Sequence, residues 1–380
     1  MKICAIICEY NPFHNGHLYQ IAEAKRLSGA DAVLCLMSGN FVQRGEPAIL
    51  DKFTRPRHAI LGGADIVLEL PTVFATSNAE LFAKGAISIL SQIPAVKTLA
   101  FGAETADKTA FMLGARYLNH EPEEVSAKIK ESLATGASYP KARAQAWAGF
   151  LPLDLLSSPN NILGLEYTRA ILDKGADIEI LPIQRVGSGY NDNDLQEKFS
   201  SASAIRLAIQ EKRSVRGQLP YFVEKELPNA LEDKLDALEK YALLCKPSKE
   251  IAKVCDCTEG LENAFKRAAG ESQTLEAALT SARYTSSRIR RIALQNLLNI
   301  EEALIRDCLQ TPLYLRVLAA RKAQNEVLSA LSLSPLPVIA RAHDKNCLTG
   351  TAKACFKKDA FAEKTHGLLY CAPTKESLFI

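Results

Sequence analysis

Ile3-Cys4-Ala5-Ile6-Ile7-Cys8-Glu9-Tyr10-Asn11-Pro12-Phe13-His14-Asn15-Gly16-His17 is the stretch on which the reading of this chain turns. The run over 2–9 is apolar at consecutive positions from Ile3 to Cys8 rather than at alternate ones, the pattern of a strand covered on both faces. Pro12 and Gly16 then punctuate a turn, and over 16–27 the apolar spacing becomes helical. A buried strand feeding a helix sets the helix's free backbone N–H groups at the strand's carboxyl end, where phosphate is favoured.

The alternation continues outward. Residues 32–37, 65–70, 98–101 and 178–183 read as further strands, with helical segments over 51–61, 78–93 and 202–210. Strands that are apolar on both faces and separated by crossover helices predict an α/β fold with a Rossmann-like, doubly wound parallel sheet. Residues 107–156 read as a helical insertion between the fourth and fifth strands. From about 219 to 380 the pattern is mainly helical, over 227–244, 260–269, 275–282 and 286–298. Short apolar runs at 338–340 and 367–371 suggest a small α/β appendage at the end. The expected division is therefore 1–218 and 219–380, and 380 residues are enough for two or three cores.

An apolar fraction of 47% and a charged fraction of 23% are those of an ordinary globular protein. No run approaches the roughly 20 apolar residues of a membrane span, so no membrane partner is expected. After Lys2 the chain enters a strand-like run with no small-residue cleavage site, which argues against a secretory leader and for the cytoplasm. The ten cysteines are dispersed, and several lie in apolar runs, as reduced core residues do. Cys255 and Cys257 are too closely spaced for the usual zinc pattern, so no resident metal is expected. A net charge of +3 leaves nucleic-acid binding to be decided by local patches.

The chemistry concentrates at the first turn. His14 and His17 are placed to meet one α-phosphate and to stabilise charge in the transition state, with Gly16 letting a nucleotide approach the backbone. Any His-x-x-His is also compatible with a surface helix start or with zinc, but third and fourth zinc ligands are missing nearby. Further on, Ser200, Ser201 and Ser203 can cap a helix and offer donors to β- and γ-phosphates, and Arg206 can bind departing pyrophosphate. A plain serine-capped helix is the alternative.

His14-Asn15-Gly16-His17 fits the His-x-Gly-His signature of the nucleotidyltransferase superfamily, and Ser200-Ser201-Ala202-Ser203-Ala204-Ile205-Arg206 resembles its second motif. Further stretches are 9–17, 37–47, 101–104, 159–167, 185–190 and 283–289. With these the chain resembles, over nearly its whole length, the bacterial tRNA(Met) cytidine acetate ligase family. One position departs: after Leu315-Arg316-Val317-Leu318 the family pattern calls for glycine and this chain has Ala319, a change expected to touch only local helical packing.

The resemblance implies a nucleotidyltransferase-type fold and an enzyme that consumes ATP, with Mg2+, to convert acetate to acetyl-adenylate. It then acetylates the wobble cytidine of elongator tRNA(Met). Activation is needed because a carboxylate does not acylate a weakly nucleophilic aryl amine, whereas its mixed anhydride with AMP carries a good leaving group. Positioning and electrostatics suffice, with no protein nucleophile. The implied ATP contacts are Ile7, Cys8, Glu9, Tyr10, Asn11, Pro12, Phe13, His14, Asn15, Gly16, His17, Leu18, Tyr19 and Gln20, with Gly102, Asn160 or Asn161, and Arg185. Gly102 should sit where a side chain would collide with the nucleotide, and Asn160 and Asn161 serve equally well as helix caps. Asn40, Gln43 and Arg44 are candidates for acetate or the target base. Arg283, Tyr284, Arg288, Arg290 and Arg291 offer phosphate and stacking contacts to an anticodon loop, with no acidic residue among them. Lys52, Arg55, Arg57 and His58 are expected to extend a basic surface. Two other readings stay open: a ligase joining another carboxylate to a small amine, and a non-catalytic RNA-binding protein on a nucleotide fold.

Overall fold

Alternate residues of strand β1 (Ile3–Cys8) enter opposite layers. Ile3, Ala5 and Ile7 join one apolar cluster, and Cys4, Ile6 and Cys8 the other. Strand β2 (Ala32–Ser38) does the same, with Leu34 and Leu36 on one side and Val33, Cys35 and Met37 on the other. Consecutive apolar residues are thus the direct consequence of a sheet buried on both faces. The computed structural model describes residues 1–136, 142, 145–148, 150–185, 199–228, 234–322, 325–370 and 378–379.

β1 pairs in parallel with β2 on one side and with β6 (Val96–Ala103) on the other. Beyond β2 lies β5 (Ile66–Leu70), and beyond β6 lies β7 (Glu179–Gln184), both again parallel. The chain therefore steps outward one way and then returns to step out the other way, so the strand order reverses at β1. A ligand crevice belongs at the carboxyl ends of β1 and β6. Between β2 and β5 a small hairpin, β3 (Phe41–Val42) with β4 (Glu46–Pro47), leans over that edge.

The sheet does not end with the first 218 residues. β8 (Leu315–Ala320) adds antiparallel to β5, and both β9 (Val338–Ile339) and β10 (Leu378–Phe379) pair with β8, giving the order β10-β8-β5-β2-β1-β6-β7. The final segment is thus an edge of the main sheet rather than an appendage to the helical part. Ala319 stands opposite Val67 in a strand, fully buried, and its side chain bears on sheet packing, not on a helix. The helix Gly350–Tyr370 is tied to the same layer: Asp359 Oδ1 accepts from Thr72 N at 2.7 Å, and His366 Nε2 meets Ala48 O at 2.7 Å.

The charges expected to form a basic surface supply the internal ties instead. Lys52 is buried, with Nζ 2.9 Å from Glu69 Oε1 and 3.0 Å from Glu363 Oε2, and Arg316 Nη1 lies 2.9 Å from Glu69 Oε2. Arg55, fully buried, donates to the carbonyls of Glu9, Ser38, Gly39 and Leu50, so one guanidinium ties the exits of β1 and β2 together. Burial lowers its pKa to about 10. His58 and Arg57 close on Glu226. A charge this deep persists only because partners compensate its lost hydration.

A third apolar cluster, including Leu243, Ile251, Phe265 and Ile289, forms the core of the helical part. The helix Ser286–Leu298 belongs to both units, giving Ile292 to that cluster and Leu294 and Leu298 to the sheet's. Among the described residues no helix is long and apolar enough to cross a membrane.

Candidate active site

His14 is the N-cap of the helix Asn15–Ser28: its Nδ1 accepts from Gly16 N at 3.1 Å, and its own N–H donates to His17 Nδ1 at 3.3 Å. The two rings stack with centroids 3.6 Å apart, and Tyr10 packs on His17 at 4.5 Å. This reciprocal capping decides the tautomers. Both Nδ1 atoms act as acceptors, so each neutral imidazole carries its proton on Nε2. Burial, and then the charge of Arg185, lower the His14 pKa to about 3; burial, then His14 and Arg185, hold His17 well below the usual range. At neutral pH the free protein thus presents two N–H donors and no imidazolium.

Gly16 has a packing role that the sequence did not announce. A Cβ there would lie 2.9 Å from His14 Cε1, so the glycine makes room for the capping ring. Gly102, near the end of β6, lines the cleft, and a Cβ there would meet nothing nearer than Arg185 Cγ at 3.5 Å.

One cleft collects most of the sequence-named residues. Ile7, Cys8, Glu9, Tyr10, Asn11, His14, Gly16, His17, Tyr19 and Gln20 line it from the β1 junction, with Gly102 and Arg185 on one wall and Asn160 on the other. Ser200, Ser201, Ser203 and Arg206 close it from the second motif, and Gln43 and Arg44 from the hairpin. Within that second motif Ser201 is also the N-cap of the helix Ala202–Gln210, accepting from Ala204 N at 3.0 Å, and Ser200 donates to Gln218 Oε1 at 2.7 Å. Arg206 reaches back to the first motif, donating to Asn11 O at 2.8 Å.

Five expected contacts lie elsewhere. Phe13 is fully buried, packed on Tyr10 and Phe222, and Pro12 is buried beside it. Asn15 donates to Gly217 O at 2.9 Å, anchoring the loop before the helix Tyr221–Glu224, and Leu18 faces solvent. Asn161 has no exposure: its Oδ1 accepts from Glu104 N at 2.9 Å and from Thr105 N at 3.2 Å. Its neighbour Asn160 donates to Glu104 Oε1 at 2.6 Å and faces the cleft. The stretches 101–104 and 159–167 are thus one hydrogen-bonded unit. Asn40 is also structural, its Oδ1 accepting from Lys52 N at 2.7 Å. Val186, Gly187, Ser188, Gly189 and Tyr190 lie outside the described residues.

Sequence reasoning passed over the apolar wall: Phe82, Phe101, Leu163, Tyr167 and Phe199. Asn160, Leu163 and Tyr167 lie at positions i, i+3 and i+7 of the helix Pro159–Lys174, one face of it. That spacing was legible, but it is equally the signature of core. Glu9 also gains a role, accepting from Gln43 N at 2.7 Å while burial raises its pKa.

The arginines after residue 282 divide into two groups. Arg283 and Arg288 hold their guanidinium carbons 5.7 and 5.1 Å from the Tyr284 ring centre. Arg283 pairs with Glu259 at 2.6 Å, and Arg288 donates to Asp256 O at 2.8 Å. Arg290 and Arg291 turn inward: Arg290 pairs with Glu46 at 3.0 Å, and Arg291, largely buried, lies 3.6 Å from Asp256. The acids missing from the local sequence arrive from other segments.

A nucleotide-sized cleft at the strand-order reversal, with two imidazole donors at a helix start and a serine–arginine motif opposite, defines the nucleotidyltransferase class. The family described as HIGH Nucleotidyl Transferase matches residues 1–378. The tRNA(Met) cytidine acetate ligase of Thermoanaerobacter sp. (strain X514) is 37% identical, over 97% of this chain and 96% of its own. That of Thermosipho africanus is 37% identical over 91% of this chain and 86% of its own. Thermotoga maritima TmcAL in an apo crystal form superposes with a TM-score of 0.90 at 31% identity, and the form bound with alpha-thio ATP with 0.87, each over 100% of both chains. The chain belongs to the tRNA(Met) cytidine acetate ligase family of HIGH nucleotidyltransferases.

Proposed function

We propose that this protein is an ATP-dependent, tRNA-modifying ligase that activates acetate as acetyl-adenylate and transfers the acetyl group to N4 of the wobble cytidine of elongator tRNA(Met). The observation that carries the reading is the paired Nε2–H donors of His14 and His17 beside the helix start, in a cleft that Arg206 and the serines close from the other side. Acetate oxygen attacks the α-phosphorus, the bond to the β-phosphate oxygen breaks, and pyrophosphate departs. The two imidazoles are placed to donate to the α-phosphate oxygens, where charge is redistributed in the transition state. Arg206, with Ser200 and Ser203, receives pyrophosphate at the helix Ala202–Gln210. The open side of Gly102, facing Gln20 and Arg185, is the surface offered to adenine and ribose.

Gln43 and Arg44, on the hairpin side of the cleft, are the side chains offered to acetate or to the cytosine. Among the described residues no three His, Cys, Asp or Glu side chains are grouped to hold an ion. Mg2+ would enter with the triphosphate and would supply charge neutralisation to its oxygens. Arg283, Tyr284 and Arg288 form the RNA-facing patch, and the site of action is the cytoplasm.

The test is incubation with labelled ATP, acetate and Mg2+, with and without tRNA(Met). Acetate-dependent AMP together with acetyl in the RNA is expected. Acetate-dependent AMP that never yields acetylated RNA supports a small-molecule ligase instead, and RNA binding without turnover a binding module.

A further inference from the structure

The carboxylate of Glu46 is shared between the cleft and the helical unit. Its Oε2 lies 3.3 Å from Arg206 Nη2, the guanidinium that also donates to Asn11 O inside the cleft. Its Oε1 lies 3.0 Å from Arg290 Nη1, on the helix Ser286–Leu298 that begins beside Tyr284 and Arg288. All three side chains are about one-fifth exposed, so the pairs are partly withdrawn from screening by water. The junction is also fixed sterically. Gly45, at φ +75°, packs so closely on the helix that a Cβ would lie 2.6 Å from the backbone of both Arg290 and Arg291. Arg290 Nε further donates to Arg44 O at 3.3 Å, and Arg44 lines the cleft.

One carboxylate serving two guanidiniums divides its attraction between them. If Arg290 is drawn away, Glu46 turns wholly to Arg206 and competes with the phosphates for it. If Glu46 loses its charge, Arg206 is released to the phosphates and Arg290 no longer matters to them. We infer that Glu46 is a positioning residue that couples the RNA-facing helix to the pyrophosphate end of the cleft. RNA docked at the helix start, on Arg283 and Arg288, that draws Arg290 from Glu46 hands the carboxylate to Arg206 and weakens the hold on pyrophosphate, which orders the reaction as activation, pyrophosphate departure, then acetyl transfer. This rests on the ATP site proposed above, and by linkage bound pyrophosphate must oppose RNA docking to the same degree.

The test is a double-mutant cycle on the full chain, read as ATP and inorganic pyrophosphate dissociation constants without RNA. Arg290→Gln is expected to weaken both by about three- to tenfold, within the range of coupling between charged neighbours. Glu46→Gln is expected to tighten both, and in its background Arg290→Gln should change neither by more than about twofold. Arg290→Lys, which keeps the charge, should restore parental binding, an outcome that a merely structural loss would not give. Adding tRNA(Met) should weaken pyrophosphate binding to the parent but not to Glu46→Gln. Additive effects of the two substitutions, or an RNA effect that persists in Glu46→Gln, overturn the coupling and leave the ATP site standing. A parent that binds no ATP sinks the site itself.

Discussion

At the start of the helix Asn15–Ser28, His14 and His17 turn their Nδ1 atoms to backbone N–H groups and sit largely out of water. At the start of Ser286–Leu298, Arg283 and Arg288 flank Tyr284, and Arg283 stays two-thirds exposed. Both places look alike in sequence, a cluster of basic side chains opening a helix. Burial separates them. The first is built of neutral donors with their orientation already fixed, which suits a reaction that redistributes charge over a short distance. The second keeps full charges near solvent, which suits long-range attraction to RNA and must weaken with salt.

The comparison breaks most visibly if the first region is emptied of donors. His14→Ala or His17→Ala should lower acetate-dependent AMP formation by about 10²–10³-fold or more, as loss of an aimed donor does elsewhere. RNA affinity should stay within about twofold, because the patch proposed to meet RNA carries its own charges. Rapid-quench AMP release and RNA filter binding measure the two; full activity in either variant removes the catalytic assignment. Next in size, Gly102→Leu should weaken ATP binding by more than about tenfold while leaving the melting temperature unchanged, since a Cβ at 102 has no close protein neighbour. A fall in melting temperature with intact ATP affinity would show that this glycine serves packing instead.

In the second region, Arg283→Ala and Arg288→Ala should each weaken tRNA binding several-fold and reduce the slope of log affinity against log salt by about one. AMP formation without RNA should not respond. The smallest effects concern protons. In the ligand-free protein the imidazole NMR signals of His14 and His17 should not titrate between about pH 5.5 and 8, against an ordinary pKa near 6.5. Because the folded-state value of His14 is depressed to about 3, the unfolded chain takes up a proton below its own pKa that the fold refuses. Stability should therefore fall with pH from about 6.5 downward, seen as an earlier urea midpoint, and His14→Gln should reduce that dependence.

The parallel sheet was legible because its strands have no polar face to confuse the pattern, and the first motif because turn residues and two histidines met at one strand end. What escaped is what tertiary contacts decide. Lys52, Arg55 and His58 read as surface charge, yet Glu69, Glu363, Glu226 and the carbonyls of Glu9, Ser38 and Gly39 wait for them in other segments. Nothing local to Arg291 announces that Asp256, 35 residues earlier, lies beside it. β8 went unread as part of the sheet because its partner β5 is about 250 residues earlier in the chain, a pairing no local period announces. Asn160 and Asn161 are adjacent in sequence, but their helix turns one toward the cleft and the other into the loop after β6.

The most direct measurement is a crystal structure with a non-hydrolysable acetyl-adenylate analogue. We expect its phosphate oxygens within hydrogen-bonding distance of the Nε2 atoms of His14 and His17, with the adenosine along the open side of Gly102. An analogue seated away from that helix start, or imidazoles whose Nε2 atoms point into the protein, would contradict the account.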